Sequence, residues 1–211
     1  MEPRPKSGLA LPNRLARTTL LVLQSMLATN ELQALLEAAH LPHLIDTYPL
    51  ANLARGFDFA DYAAINQSLE DMYGGRGSRS LALRAGRTIF AELMNDFGPL
   101  VGNSAAAFRL LPLTMKLNLA LPAMARIYNE ISDQNTQVEK HPHAFHYLIE
   151  HNPVCWGRSG ENGPVCFLQV GILQEALHRI SGGHEFRVDE AECLAAGAKA
   201  CRFILMKEPL N

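Results

Sequence analysis

All four cysteines of this 211-residue chain fall after residue 154. That clustering constrains the last quarter of the fold more than any other feature. A reducing compartment disfavours structural disulfides, so the cluster asks for another explanation, and metal binding is the usual one. Cys166, Glu190, Cys193 and Cys201 form one candidate set of four ligands. Thiolates select zinc over magnesium or calcium, and four protein ligands leave no open position, so the role is structural. The run from Leu194 to Ala200 holds small residues and Gly197, which lets Cys193 and Cys201 approach. Positions 190 and 193 point to opposite faces of a regular strand, so the strand must end or bulge between them. Three alternatives stand beside this one: Cys155 replacing Glu190 as a ligand, buried free cysteines with a surface glutamate, and a Cys193–Cys201 disulfide.

Before that quarter the chain is helical in pattern. Leu15, Leu20, Leu23 and Leu27 give a stripe for a helix from Asn13 to Ala28, with Asn13 as cap. Asn30 can cap a second helix, Glu31 to Ala39, stopped at Leu41-Pro42. Asp58 precedes a helix from Ala60 to Tyr73. Gly74 to Gly77 is a turn without P-loop or dinucleotide spacing. Ser78 or Ser80 then caps a helix running to Phe97, ended by Gly98-Pro99. Ala105 to Ser132 is helical, with Pro112 and Pro122 each kinking or restarting it. After Gln134 the pattern changes. Thr136–Lys140 and His143–Glu150 read as strands about Pro142, and Pro164 to Ile180 as a helix closed by Gly182-Gly183. His184–Glu190 and Arg202–Met206 read as two further strands. The expected fold class is α+β, a helical N-terminal half packed on a four-stranded antiparallel sheet. The expected divisions are a flexible tail over 1–12, a helical region over 13–75 and a ligand-binding domain over 76–211.

Composition narrows the function classes. A net charge of −2 gives no electrostatic case for nucleic acid or anionic lipid. The polar, proline-bearing Met1–Ser7 lacks the apolar run of a signal peptide, and no apolar stretch approaches a membrane span. The expectation is a soluble, cytoplasmic protein. His141, His143, His146 and His151 form a dense patch with surface or pocket-edge roles, two further zinc ligands being the sharper reading. Asp133-Gln134, at the helix-to-sheet junction, is expected to cap or turn the chain.

The runs Gly163-Pro164-Val165-Cys166-Phe167, Val170-Gly171, Phe186 through Gly197 and Cys201-Arg202-Phe203 resemble the 4-vinyl reductase domain family over Gln134 to Met206. The resemblance extends more loosely over Arg79 to Asp133, where Arg84-Ala85-Gly86-Arg87 looks like the family's helix start. The family includes a protein tied to bacteriochlorophyll synthesis and the sensor domains of phenol-responsive transcription activators. Its fold is shared with vesicle-tethering subunits and haem–nitric-oxide-binding domains, a NO-signalling/Golgi-transport ligand-binding-like fold. In the phenol sensors this pattern binds zinc through three cysteines and a glutamate, which fall here on Cys166, Glu190, Cys193 and Cys201. Cys155 resembles an additional cysteine of many members and stands as the alternative ligand.

The resemblance further implies an apolar pocket between sheet and helices, and a homodimer. The leading expectation is a protein that binds a hydrophobic small molecule, for instance a tetrapyrrole or bacteriochlorophyll precursor, as carrier, accessory or sensor. Its pocket is expected from the helices around Ala85–Phe97 and Phe108–Ile127, with Arg84, Arg87 and Lys116 as carboxylate anchors and Phe108 and Met115 as apolar lining. The alternatives are a 4-vinyl reductase, for which the chain shows no electron-donor site of its own, and a scaffold or assembly subunit.

Overall fold

The computed structural model describes residues 4–97 and 105–210. Two strands, β1 (Ala10–Pro12) and β2 (Arg55–Asp58), pair antiparallel and bracket helices α1 (Asn13–Met26), α2 (Thr29–Ala38) and α3 (His43–Asp46). The long α4 (Phe59–Phe97) follows, then α5 (Ala105–Arg109) and α6 (Leu113–Ile131). The second half contains β3 (Thr136–Lys140), β4 (Ala144–Ile149), α7 (Phe167–Ser181), β5 (Phe186–Glu192) and β6 (Cys201–Pro209). The last four strands form an antiparallel sheet in the order β3-β4-β6-β5.

The α+β expectation holds, but β1, β2 and α3 are not among the expected elements, and Asn13 and Asn30, expected as caps, lie inside α1 and α2, whose N-cap positions are Pro12 and Ala28. The sheet buries one face through period-2 alternation: Phe145, Tyr147 and Ile149 on β4, and Cys201, Phe203 and Leu205 on β6. The other face carries His146, Arg202 and their neighbours. α4 is two helical segments meeting at a kink at Gly74, whose φ of 66° and ψ of 166° are non-helical, so the break expected at Gly74–Gly77 is present at its first residue. The expected division at 75/76 therefore lies just past this kink, and one hydrophobic cluster runs across it from Leu11 to Leu205. Pro112 caps α6, whereas Pro122 lies inside it. The helix stop expected at Gly98-Pro99 lies outside the described residues.

Two readings are corrected. Residues 1–12 are not a loose tail over their described part. Asp58 accepts hydrogen bonds from Ser7 N–H at 3.1 Å and Ser7 Oγ at 2.8 Å while also accepting from Ala60 N–H at the start of α4. Asp133, expected only to cap, takes the Ala10 N–H at 2.7 Å and Arg55 Nη1 at 2.8 Å, tying both short strands to the helix-to-sheet junction. Secondly, Arg84 to Arg87 does not start a helix; it lies in the body of α4, where that helix crosses α7.

That crossing sets the backbone spacing behind the site. A Cβ on Gly86 would sit 2.0 Å from the Leu168 carbonyl oxygen, and one on Gly171 would sit 2.2 Å from that of Leu83. Each glycine thus lets the other helix's backbone in, and neither carbonyl can yield as a flexible side chain would. Gly171→Ala should destabilise the protein by about 3 kcal/mol, at the upper end of overpacking costs. Thermal unfolding should show a fall in Tm on the order of 10 °C, and an unchanged Tm would contradict the close crossing.

Candidate metal centre and adjoining groove

Four chain segments converge at one end of α7. Cys166 is its N-cap residue, with Val170 N–H donating back to the Cys166 carbonyl at 3.1 Å. Cys193 follows β5. The β5–β6 register shifts between Glu190 and Glu192, so the irregularity expected between positions 190 and 193 is present. A 3₁₀ turn over Leu194–Ala196 and the left-handed Gly197, at φ 91°, fold the chain back to Cys201 at the start of β6. Cys155 comes from the loop after β4, where Asn152 Oδ1 accepts the Val154 N–H at 3.1 Å.

All four sulfurs are buried and unbridged. Cys155 and Cys201 sulfurs are 3.5 Å apart, Cys166 lies 3.8 Å from both Cys193 and Cys201, and Cys193 lies 4.0 Å from Cys201. A disulfide needs about 2.05 Å, so the Cys193–Cys201 bridge is not formed. A tetrahedron of sulfurs around zinc, with bonds of about 2.3 Å, has edges of about 3.8 Å. The donor set and its spacing therefore fit a four-coordinate thiophilic ion. Leu194 N–H also points at the Cys201 sulfur, at 3.4 Å. Burial pushes the Cys166 thiol up, whereas hydrogen bonds from Cys155 and Cys166 pull Cys193 and Cys201 down.

Glu190 stands beside this group rather than in it. The ligand atoms that all lie within 4.8 Å of one another are those of the four cysteines. Glu190 Oε2 instead accepts the Cys166 N–H at 2.8 Å, and Oε1 is buried without a partner. Burial, then the negative charge of Cys193 and Cys201, pushes its carboxyl up to about 9. A proton on that carboxyl suits a place beside thiolates.

The groove next to this centre has a volume of about 550 Å³. One wall is Gly163 to Val165, leading into Cys166, and the other is Val188 to Glu190, leading towards Cys193. Leu83, Phe167 and Val170 supply apolar lining, and Arg79 lies over the Phe167 ring at 4.7 Å. Arg158, with only 3% of its side chain exposed, joins Glu70 of α4 at 2.7 Å to Glu161 of the loop at 2.6 Å and fixes that wall.

The ligand-binding residues expected from the sequence do not line this groove. Arg87 is engaged by Glu185 at 2.8 Å and Glu175 at 3.3 Å. Arg84 is exposed on α4; Phe108 is on α5, and Lys116 and the exposed Met115 are on α6. Arg79, Phe167 and Arg158 were missed. Phe167 sits in a motif run, but nothing in their spacing puts Arg79 against it.

Residues 145–207 match the family model described as the V4R domain. The match agrees with the resemblance read from the cysteine-bearing runs. The chain is also 30% identical over 131 residues to the bacteriochlorophyll synthase 23 kDa chain of Cereibacter sphaeroides, covering 54% of this chain and 60% of that relative. The match thus spans about three fifths of the relative's length. Among solved structures, an H-NOX protein from S. oneidensis in the Fe(II)NO ligation state superposes with a TM-score of 0.57 at 17% identity, covering 92% of this chain and 99% of that one. The Fe(II) unliganded H-NOX protein from K. algicida gives 0.61 at 12% identity, covering 94% and 97%. These two likenesses show the fold.

The cavity among α1, α4, α6 and α7, lined by Leu15, Tyr62, Tyr128 and Ile172 among others, has about 10 Å³, far too little for a haem. Residues 59–131, which supply α4 to α6, contain no histidine to hold the iron. No described helix is long and apolar enough to cross a membrane.

Proposed function

We propose that this protein binds a hydrophobic small molecule in the groove beside Cys166 and Glu190, in a domain held together by a structural zinc ion. The observation that carries this reading is continuity. The segments forming the two groove walls run directly into two of the four clustered cysteines. An ion joining Cys155, Cys166, Cys193 and Cys201 would fix the distance between those walls, supplying on the order of ten kcal/mol of apparent binding energy to the folded state. Cys155 replaces Glu190 in the ligand set, because its sulfur lies with the other three within 4.8 Å of one another, whereas Glu190 Oε2 accepts the Cys166 N–H.

The volume of the groove falls in the range of small-molecule sites. Leu83, Phe167 and Val170 offer apolar contact and Arg79 a cation for a flat hydrophobic ligand bearing a carboxylate, in a groove whose rim also carries Glu70, Glu161, Asp189 and Glu190. A tetrapyrrole intermediate of bacteriochlorophyll synthesis is the specific ligand proposed, on the similarity to the bacteriochlorophyll synthase chain. The role is that of carrier or accessory protein in the cytoplasm. The exposed row of Met115, Leu119 and Ile127 on α6 offers a face on which the expected homodimer would close.

Two measurements test this reading. Cobalt substitution reports the ligand set: Cys155→Ser should remove about a quarter of the thiolate charge-transfer intensity, and Glu190→Gln should leave it unchanged. The reverse pattern would put Glu190 in the set. For the groove, titration of zinc-loaded protein with magnesium protoporphyrin should show a saturable shift of the pigment absorption. Gln174→Trp, which fills the groove, should weaken binding at least about tenfold, or about 1.4 kcal/mol. Absence of saturable binding to the unsubstituted protein, or equal binding to the variant, would overturn the ligand assignment.

A further inference from the structure

The outer face of the sheet carries a second convergence of ligand atoms, remote in kind from the cysteines. Glu139 on β3 is the direct cross-strand partner of His146 on β4. His141, in the turn that follows β3, folds its ring onto that of His146, with centroids 3.8 Å apart and planes inclined by 28°. Glu139 Oε2 lies 3.4 Å from His141 Nε2 and 3.9 Å from His146 Nδ1. One ligand atom from each of the three residues lies within 4.8 Å of the others.

The hairpin holds this arrangement firmly. His141 N–H donates to the Ala144 carbonyl at 3.0 Å, closing the turn. Lys207 Nζ, from β6, donates to the His141 and Pro142 carbonyls. A cation already stands at the focus. Arg202 Nη1 is 3.3 Å from His146 Nδ1 and 3.4 Å from Glu139 Oε2, while its Nε is kept by Glu192 at 3.2 Å. The lone pair of one imidazole and a carboxylate oxygen are thus both aimed at positive charge.

We propose that Glu139, His141 and His146 form a second metal site, for a divalent ion of the zinc, nickel or copper class. Two imidazoles and one carboxylate are the donor set such ions accept, and three protein ligands leave positions for water or an exogenous ligand. The site is therefore open, unlike the closed sulfur centre. Metal entry displaces Arg202 Nη1 from Glu139 and His146, and Arg202 keeps its contact with Glu192. The guanidinium is a competitor, which fixes the sign of its substitution.

The test adds Zn2+ to protein whose cysteines have first been loaded with zinc. Histidine-ring 1H–15N spectra report each imidazole, and calorimetry reports the affinity. The expected result is a saturable change confined to the His141 and His146 rings. His146→Ala should weaken this event at least tenfold, and Arg202→Gln should tighten it several-fold with the fold intact by circular dichroism. No ring shift, or equal shifts at the exposed His143 and His184, would overturn the site, as would an Arg202→Gln variant that binds no more tightly.

Discussion

Four buried sulfurs 3.5 to 4.0 Å apart are the contact on which the second half of the molecule turns. They come from the loop after β4, the start of α7, the end of β5 and the start of β6, so four chain directions meet at one point. As thiols they have only weak hydrogen bonds to offer one another. As thiolates around one ion they would fix those four directions at once. The neighbouring Glu190 accepts the backbone N–H of Cys166 through Oε2, and burial above all pushes its carboxyl up to about 9.

A second constraint brings the helical half to this centre. The Gly86–Gly171 crossing lets α4 lie directly on α7, so Arg79 and Leu83 of α4 reach the groove whose other wall is β5. Arg158 then ties α4 to the loop between Cys155 and Cys166. Groove and cysteine centre are consequently parts of one arrangement: the same loop covers both, and α7 begins where they touch. The histidine hairpin lies on the opposite face of the sheet and shares no side chain with either.

Much of this was legible in the sequence because it rests on local pattern. The alternation of Phe145, Tyr147 and Ile149, the stripe on α7 ended by Gly182, and the small residues between Cys193 and Cys201 each follow from a single stretch of chain. β1 and β2 escaped because strands of three and four residues, one ending in proline, carry no period; their pairing is set by Asp133, more than seventy residues from either. Cys155 could be offered only as an alternative ligand, since its approach to Cys201 depends on strand register rather than spacing. The anchors expected at Arg84, Arg87 and Lys116 came from helix composition, which cannot tell that Glu185 neutralises Arg87 or that the groove opens on another face of α4.

The most direct test is the zinc K-edge X-ray absorption spectrum of protein carrying one Zn2+ per chain, recorded on the His146→Ala variant so that the hairpin contributes nothing. Four sulfur neighbours at about 2.3 Å and no lighter first neighbour are expected. Three sulfurs with an oxygen at about 2.0–2.2 Å would return Glu190 to the coordination sphere and contradict the four-thiolate centre.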